Sequence, residues 1–96
     1  MAGLNVSVVS AEKEVWTGEA KQLVARTMIG EIGILRGHEP VLAILDTGEV
    51  RITLEDGSVV KVSAEDGFLS VEHDMVTVVA RNAELLHADS SASSAH

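Results

Sequence analysis

Over residues 4–79 the chain alternates short apolar runs with turn-forming residues, and no stretch there repeats at helical spacing. Leu4, Val6 and Val8 alternate with Asn5 and Ser7, which predicts a strand with one face toward a core. Thr17-Gly18 reads as a turn, followed by a longer β-like segment to about Met28. Ile32 and Ile34 flank Gly33 ahead of an Arg36-Gly37-His38 loop, and residues 41–45 form a compact apolar run after Pro40. Val50, Ile52 and Leu54 alternate with Glu49, Arg51 and Thr53, the pattern of a strand with one wet face. Asp56-Gly57 separates that strand from the returning run 58–62, which predicts a hairpin through a type I′ turn with positive φ at both centres. Asp66-Gly67 introduces a strand over 68–71, and His73-Asp74 turns the chain into the Val-rich run 75–80. Strands of about five residues at roughly ten-residue spacing predict an all-β sandwich or barrel.

The C-terminus changes character. Residues 83–88 favour a helix locally, with Asn82 as an N-cap, and residues 90–96 are a Ser/Ala tail without an apolar anchor. Such a tail buries nothing to offset its ordering entropy, so disorder is expected there. The domain is placed at residues 1–87 and the tail at 88–96, with no internal repeat.

Composition narrows the occupation more than the architecture. Ninety-six residues are one domain's worth, 46% hydrophobic but only 2% aromatic. A carbohydrate platform or a single-strand nucleic-acid groove needs more stacking rings than that. A net charge of −8 repels a phosphate backbone. Without cysteine there is no disulfide, thiolate metal site or Cys nucleophile. No basic segment precedes an apolar one at the N-terminus, and the longest apolar run is far short of the roughly 20 residues that span a bilayer. A soluble chain is expected, reaching a membrane only through a partner.

Candidate chemistry is sparse. The four histidines, at positions 38, 73, 87 and 96, form neither a His-x3-His pair nor an HExxH helix, and read as solvated residues rather than metal ligands. The stretch 30–38 contains Gly30, Gly33 and Gly37 but matches neither GxGxxG nor GxxxxGK[ST], and Glu31 in its middle opposes phosphate. Two readings of it stay open: glycines serving turns and bulges, or a shaped loop that docks a partner backbone. No GxSxG elbow occurs, and the acids, Glu12, Glu14 and Glu49 among them, read as solvated strand faces. Trp16 and Phe68 read as core anchors. What remains is a non-enzymatic β module, without a cofactor, whose business is protein contact.

The stretch from Gly30 to Pro40, Gly-Glu-Ile-Gly-Ile-Leu-Arg-Gly-His-Glu-Pro, resembles the signature loop of the epsilon subunit of F-type ATP synthases. The flanks agree in order: Val8-Val9-Ser10-Ala11-Glu12 with Trp16-Thr17-Gly18-Glu19, then Gly48-Glu49-Val50-Arg51-Ile52, Gly67-Phe68-Leu69-Ser70-Val71 and Val76-Thr77-Val78-Val79-Ala80. The resemblance covers roughly residues 4–86. It implies a flattened ten-stranded β-sandwich at the foot of the central stalk, gripping the gamma subunit and resting on the c-subunit ring. The implied role is mechanical coupling of proton-driven rotation to ATP synthesis, at the inner face of a bacterial plasma membrane. Carried over by position, Glu31, Ile32 and Gly33 face the ring, Ser10, His38 and Ala43 lie on the gamma side, and Gly30, Arg36, Gly37 and Pro40 shape the loop.

Two departures qualify the likeness. The family commonly has Pro where this chain has Arg36, which frees φ there and adds a charge. Family members usually continue into an inhibitory two-helix hairpin, whereas this sequence stops at His96, so hairpin inhibition is not expected of it. The same resemblance makes residues 81–87 the last strand, against their local helix propensity. A biotinyl or lipoyl carrier domain is the alternative from another class, but Lys61, Lys21 and Lys13 all lack the context of a modified hairpin-tip lysine. A stand-alone β-sandwich adaptor is the third reading.

Overall fold

The period-2 runs become strands, and their order is that of a sandwich, in a computed structural model that describes residues 3–89. The strands are β1 (Leu4–Ser10), β2 (Glu14–Ala20), β3 (Gln22–Thr27), β4 (Gly30–Leu35), β5 (Val41–Ile44), β6 (Gly48–Thr53), β7 (Val59–Glu72) and β8 (Met75–Asp89). Pairing runs β2-β1-β8-β7-β6-β3-β4, with β5 on β7, and β1 lies parallel to β8 while every other pair is antiparallel.

Two strands are long enough to serve both layers. The later half of β7 pairs with β5, and the earlier half of β8 pairs with β1, which carries β2. The earlier half of β7 pairs instead with β6, which continues to β3 and β4. Eight strands therefore fill the places of the ten expected, five to a layer, because β7 and β8 are each counted twice. The expectation of a break at Asp66-Gly67 is corrected here. Asp66 (φ 56°) is a kink inside β7, and Gly67 resumes pairing opposite Ala80. Only glycine fits at that point: a Cβ would overlap the Val79 carbonyl oxygen and stand 2.6 Å from the Ala80 Cα.

The core is aliphatic. Leu4, Val6, Val8, Leu23, Ile34, Ile52, Val60, Val62, Leu69, Val71, Val76 and Val78 are its large fully buried side chains. Each contributes about 1.5–3 kcal/mol relative to exposure. Trp16 packs against this core from a half-buried position, but Phe68 turns outward, so its reading as a core anchor is corrected. β-Branched and Leu side chains fill the gap between the layers, which explains how the chain folds with so few rings.

Two other local readings change. Thr17 and Gly18 lie within β2, where the Trp16 ring covers Gly18, and the turn falls earlier, at 11–13. Ser10 closes that turn, its Oγ accepting the Glu12 and Lys13 N–H groups at 3.3 and 3.2 Å. The β-like segment to Met28 breaks at Lys21, whose N–H reaches the Thr53 carbonyl as the chain crosses from one layer to the other. Residues 81–87 are the last part of β8, as the resemblance implies and against their local helix propensity, because the neighbouring half of β7 supplies a ladder. The tail expected at 90–96 lies outside the described residues.

The turns also separate by chemistry. A type I′ pair occurs at His73-Asp74 (φ 52° and 62°), joining Glu72 to Met75. At Asp56-Gly57 only Gly57 has positive φ (93°), and Asp56 instead accepts the Ser58 hydroxyl at 2.6 Å and the Ser58 N–H at 2.9 Å. Those bonds, the hydroxyl first, hold the Asp56 carboxyl below its ordinary 3.8. A depressed carboxyl stabilises the fold above its unfolded pKa and stops doing so as pH falls through the folded value. The stability gap between wild type and Asp56→Ala, read by urea melts, is expected to be full at neutral pH and to close below about pH 3.8.

Candidate functional site

Register gathers on one outer face residues that are distant in sequence. In the layer β2-β1-β8-β7-β5, Ile44 stands opposite Phe68, Phe68 opposite Val79, and Val79 opposite Val9. Four strands thus contribute one apolar row on the side away from the core. Leu42, 69% exposed, and Ile44, 59% exposed, present the apolar side of β5, while Val41 packs inward. The next row, Ser70, Thr77, Ser7 and Thr17, is polar.

The row continues onto the β3–β4 hairpin. The Met28 N–H donates to the Ile44 carbonyl at 2.9 Å, the Asp46 N–H to Arg26 at 3.0 Å, and Thr27 bridges Leu45. At the hairpin tip Met28 is 65% and Ile29 96% exposed. Thr27 braces that tip: its Oγ1 donates to the Gly30 carbonyl at 2.6 Å and accepts the Ile29 N–H at 3.2 Å. Between tip and β5 lies a groove of about 400 Å³, lined by residues 27–32 and 41–44.

The residues singled out by resemblance divide among these features. Glu31, Ile32 and Ala43 line the same groove, although Ala43 has a half-buried Cβ facing Leu69 and its neighbours Leu42 and Ile44 face solvent. Glu31 and Gly33 lie on the outward face of β4, an edge strand, whereas Ile32 turns toward the core. No atom approaches the position of a Gly33 Cβ within 4 Å, so backbone is accessible there. Ser10 follows Val9 at one end of the apolar row and borders a second, polar groove of about 590 Å³, with Lys13, Glu65, Arg81 and Glu84 among its walls.

His38 stands at the opposite end of the layer. The preceding Gly37 (φ 85°) donates its N–H to Asp74 Oδ1 at 2.7 Å, and the Asp74 carbonyl accepts from Asn5 near the start of β1. The structure therefore does not bring His38 beside Ser10. Arg36 and Pro40 flank this latched segment and Gly30 (φ 130°) closes the hairpin tip. Sequence reasoning missed Leu42, Ile44 and Phe68. Among the described residues, no helix is long and apolar enough to cross a membrane.

The family model for the ATP synthase Delta/Epsilon chain, beta-sandwich domain, matches residues 3–86. The chain belongs to this ATP synthase delta/epsilon family. It is 51% identical over 85 residues to the ATP synthase epsilon chain of Micrococcus luteus, covering 88% of this chain and 93% of that relative. The epsilon chain of Streptomyces coelicolor is 43% identical over 84 residues, covering 88% and 68%. In fold, the chain is similar to one in the Euglena gracilis mitochondrial ATP synthase structure of OSCP, F1 and c-ring, with TM-score 0.83 and 22% identity. That match covers 88% of this chain and 54% of the solved one. A chain of the Tetrahymena thermophila mitochondrial ATP synthase central stalk and c-ring gives TM-score 0.68 at 14% identity, covering 84% and 65%. The epsilon-type β-sandwich thus spans about half to two thirds of the solved chains. The carrier-domain alternative gains no support from these relatives.

Proposed function

We propose that this epsilon-type chain is a non-catalytic rotor subunit of a proton-translocating F-type ATP synthase, linking the c-ring to the gamma subunit. Rotation driven through the ring would pass by this contact to ATP synthesis. The observation that carries the reading is the outward apolar row Ile44, Phe68, Val79 and Val9, with Leu42 beside it. Large side chains held on a sheet face away from the core mark a surface that another chain covers. The gamma subunit is assigned to this face, with Ser10 and Ala43 at its margins and His38 as a separate contact at the far end.

The c-ring is assigned to Glu31, Ile32 and Gly33, where bare edge backbone and one carboxylate are offered together. Gly30, Arg36, Gly37 and Pro40 set the course of the loop on either side. An exposed Glu31 ion pair is worth only about 0–1 kcal/mol, so Glu31→Gln should weaken ring retention by about five-fold at most. Peripheral attachment at the cytoplasmic face of a bacterial membrane follows from those two partners.

Capture of gamma by the tagged full chain tests the reading. Wild type should retain gamma, and Ile44→Asp with Phe68→Asp should reduce affinity by about 100-fold or more, since two charges would be buried unpaired. The thermal midpoint should stay close to wild type, because both side chains face solvent in the free chain. A wild-type chain that retains no gamma would refute the proposal.

A further inference from the structure

Basic residues are unevenly placed in this acidic chain. The outer face of the layer β4-β3-β6-β7 points away from the apolar row and carries Arg26, Arg51 and Lys61, three of the seven Lys and Arg residues. Arg51 stands directly opposite Lys61, where Cβ atoms lie about 4.5–5.5 Å apart and like charges weaken a sheet. Arg26 is two positions along β3 from Val24, the neighbour of Arg51 on its other side, and so about 7–8 Å away on the diagonal. Glu31 stands opposite Arg26 and Glu49 is next but one to Arg51. Even so, among the described residues no carboxylate comes within ion-pair distance of any of the three bases. Lys61 is half-buried beside a like charge in a chain that holds 15 acids, an arrangement from which folding gains nothing. Around the strip the face is low, with Val24, Gly48 and Ser63 between the bases, and a shallow groove of about 180 Å³ has Arg26 and Arg51 among its walls.

We propose that this face binds an acidic peptide segment of a partner chain, whose carboxylates supply the counter-charge that Arg51 and Lys61 lack, with Arg26 at the margin. Charge complementarity selects the occupant. The guanidinium of Arg51 takes a carboxylate through two parallel hydrogen bonds, and the Lys61 ammonium holds a second as a point charge. Three bases strung over roughly 13 Å of open sheet suit a row of carboxylates better than one small anion. A bilayer or a second copy of the chain would meet the whole net charge of −8, whereas a short segment meets only the strip within a screening length of about 10 Å. The proposal goes beyond the rotor reading and does not depend on it, since neither gamma nor the ring enters its test.

The test titrates the nitrogen-labelled full chain with deca-glutamate peptide at about 0.1 M salt and follows the backbone amides by NMR. Shifts should gather on residues 24–26, 48–51 and 61–63. Arg51→Gln with Lys61→Gln should weaken binding about ten-fold or more, as should raising the salt to about 1 M. Lys61→Glu, which sets a carboxylate opposite Arg51, should abolish binding and raise the thermal midpoint of the free chain by about 1–5 °C. That opposition of stability and binding is what a merely solvated strand face would not show. Absent shifts, shifts centred elsewhere, or undiminished binding by the glutamine pair overturn the proposal. So does a midpoint lowered by Lys61→Glu, because the folded chain would then itself be using that lysine. Equal binding of inorganic phosphate or of phosphatidylglycerol vesicles overturns it in favour of a free anion or a lipid surface. The same shifts appearing on concentration alone, without peptide, overturn it in favour of a second copy.

Discussion

Gly67→Ala is expected to cost this domain at least about 3 kcal/mol, through a single added methyl group. The Cβ would meet backbone on the facing strand, the Val79 carbonyl and, at 2.6 Å, the Ala80 Cα. No rotamer change relieves such a clash, because neither partner is a side chain. Relief requires β7 and β8 to separate where both cross between layers. For a domain of this size the thermal midpoint should drop by about 12 °C or more. A differential scanning calorimetry trace within a few degrees of wild type would show that the strands part cheaply there. Gly33→Ala is the matched control: nothing lies within 4 Å of that Cβ position, and its thermal midpoint should barely move.

Leu69→Ala should destabilise by about 2–5 kcal/mol, while Leu42→Ala changes stability by less than about 0.5 kcal/mol. The two are near neighbours across the β5–β7 ladder, where Leu69 faces Ala43 and Leu42 faces Ser70. Leu69 is fully buried between the layers and its truncation leaves a cavity. Leu42 projects into solvent on the other side of the same sheet. Urea melts read the first effect. If Leu42→Ala proved as costly as Leu69→Ala, β5 would pair one residue out of the register described, with Leu42 turned toward the core.

That contrast also marks where sequence runs out. Strands such as β1 and β6 are legible because one side of the alternation is polar, so Leu4, Val6, Val50 and Ile52 declare themselves core. The run 41–45 is apolar on both sides, and alternation alone cannot say whether Val41 and Ala43 or Leu42 and Ile44 face inward. The docking row is harder still. Its members come from β1, β5, β7 and β8, and only pairing register sets them side by side. Asp66-Gly67 reads as a break between strands, but a dipeptide does not report whether pairing continues past it, as it does within β7. Residues 83–88 favour helix locally, and their strand conformation comes from a ladder with partners in the earlier half of β7, distant in sequence.

The uninterrupted passage of β7 and β8 through both layers has a mechanical meaning. If gamma is seated on one layer and the ring on the hairpin of the other, as proposed, any torque between them would pull along covalent backbone. The two strands run antiparallel from Val59 and Asp89 at one end to Glu72 and Met75 at the other, with one register shift at Lys61/Val62, so relative sliding would load the hydrogen bonds of each paired stretch in shear, several at once. Peeling such a ladder opens one bond at a time; shearing it does not. The sandwich would then act less as two plates with grease between them than as one folded leaf, stiff in the direction in which a rotor twists.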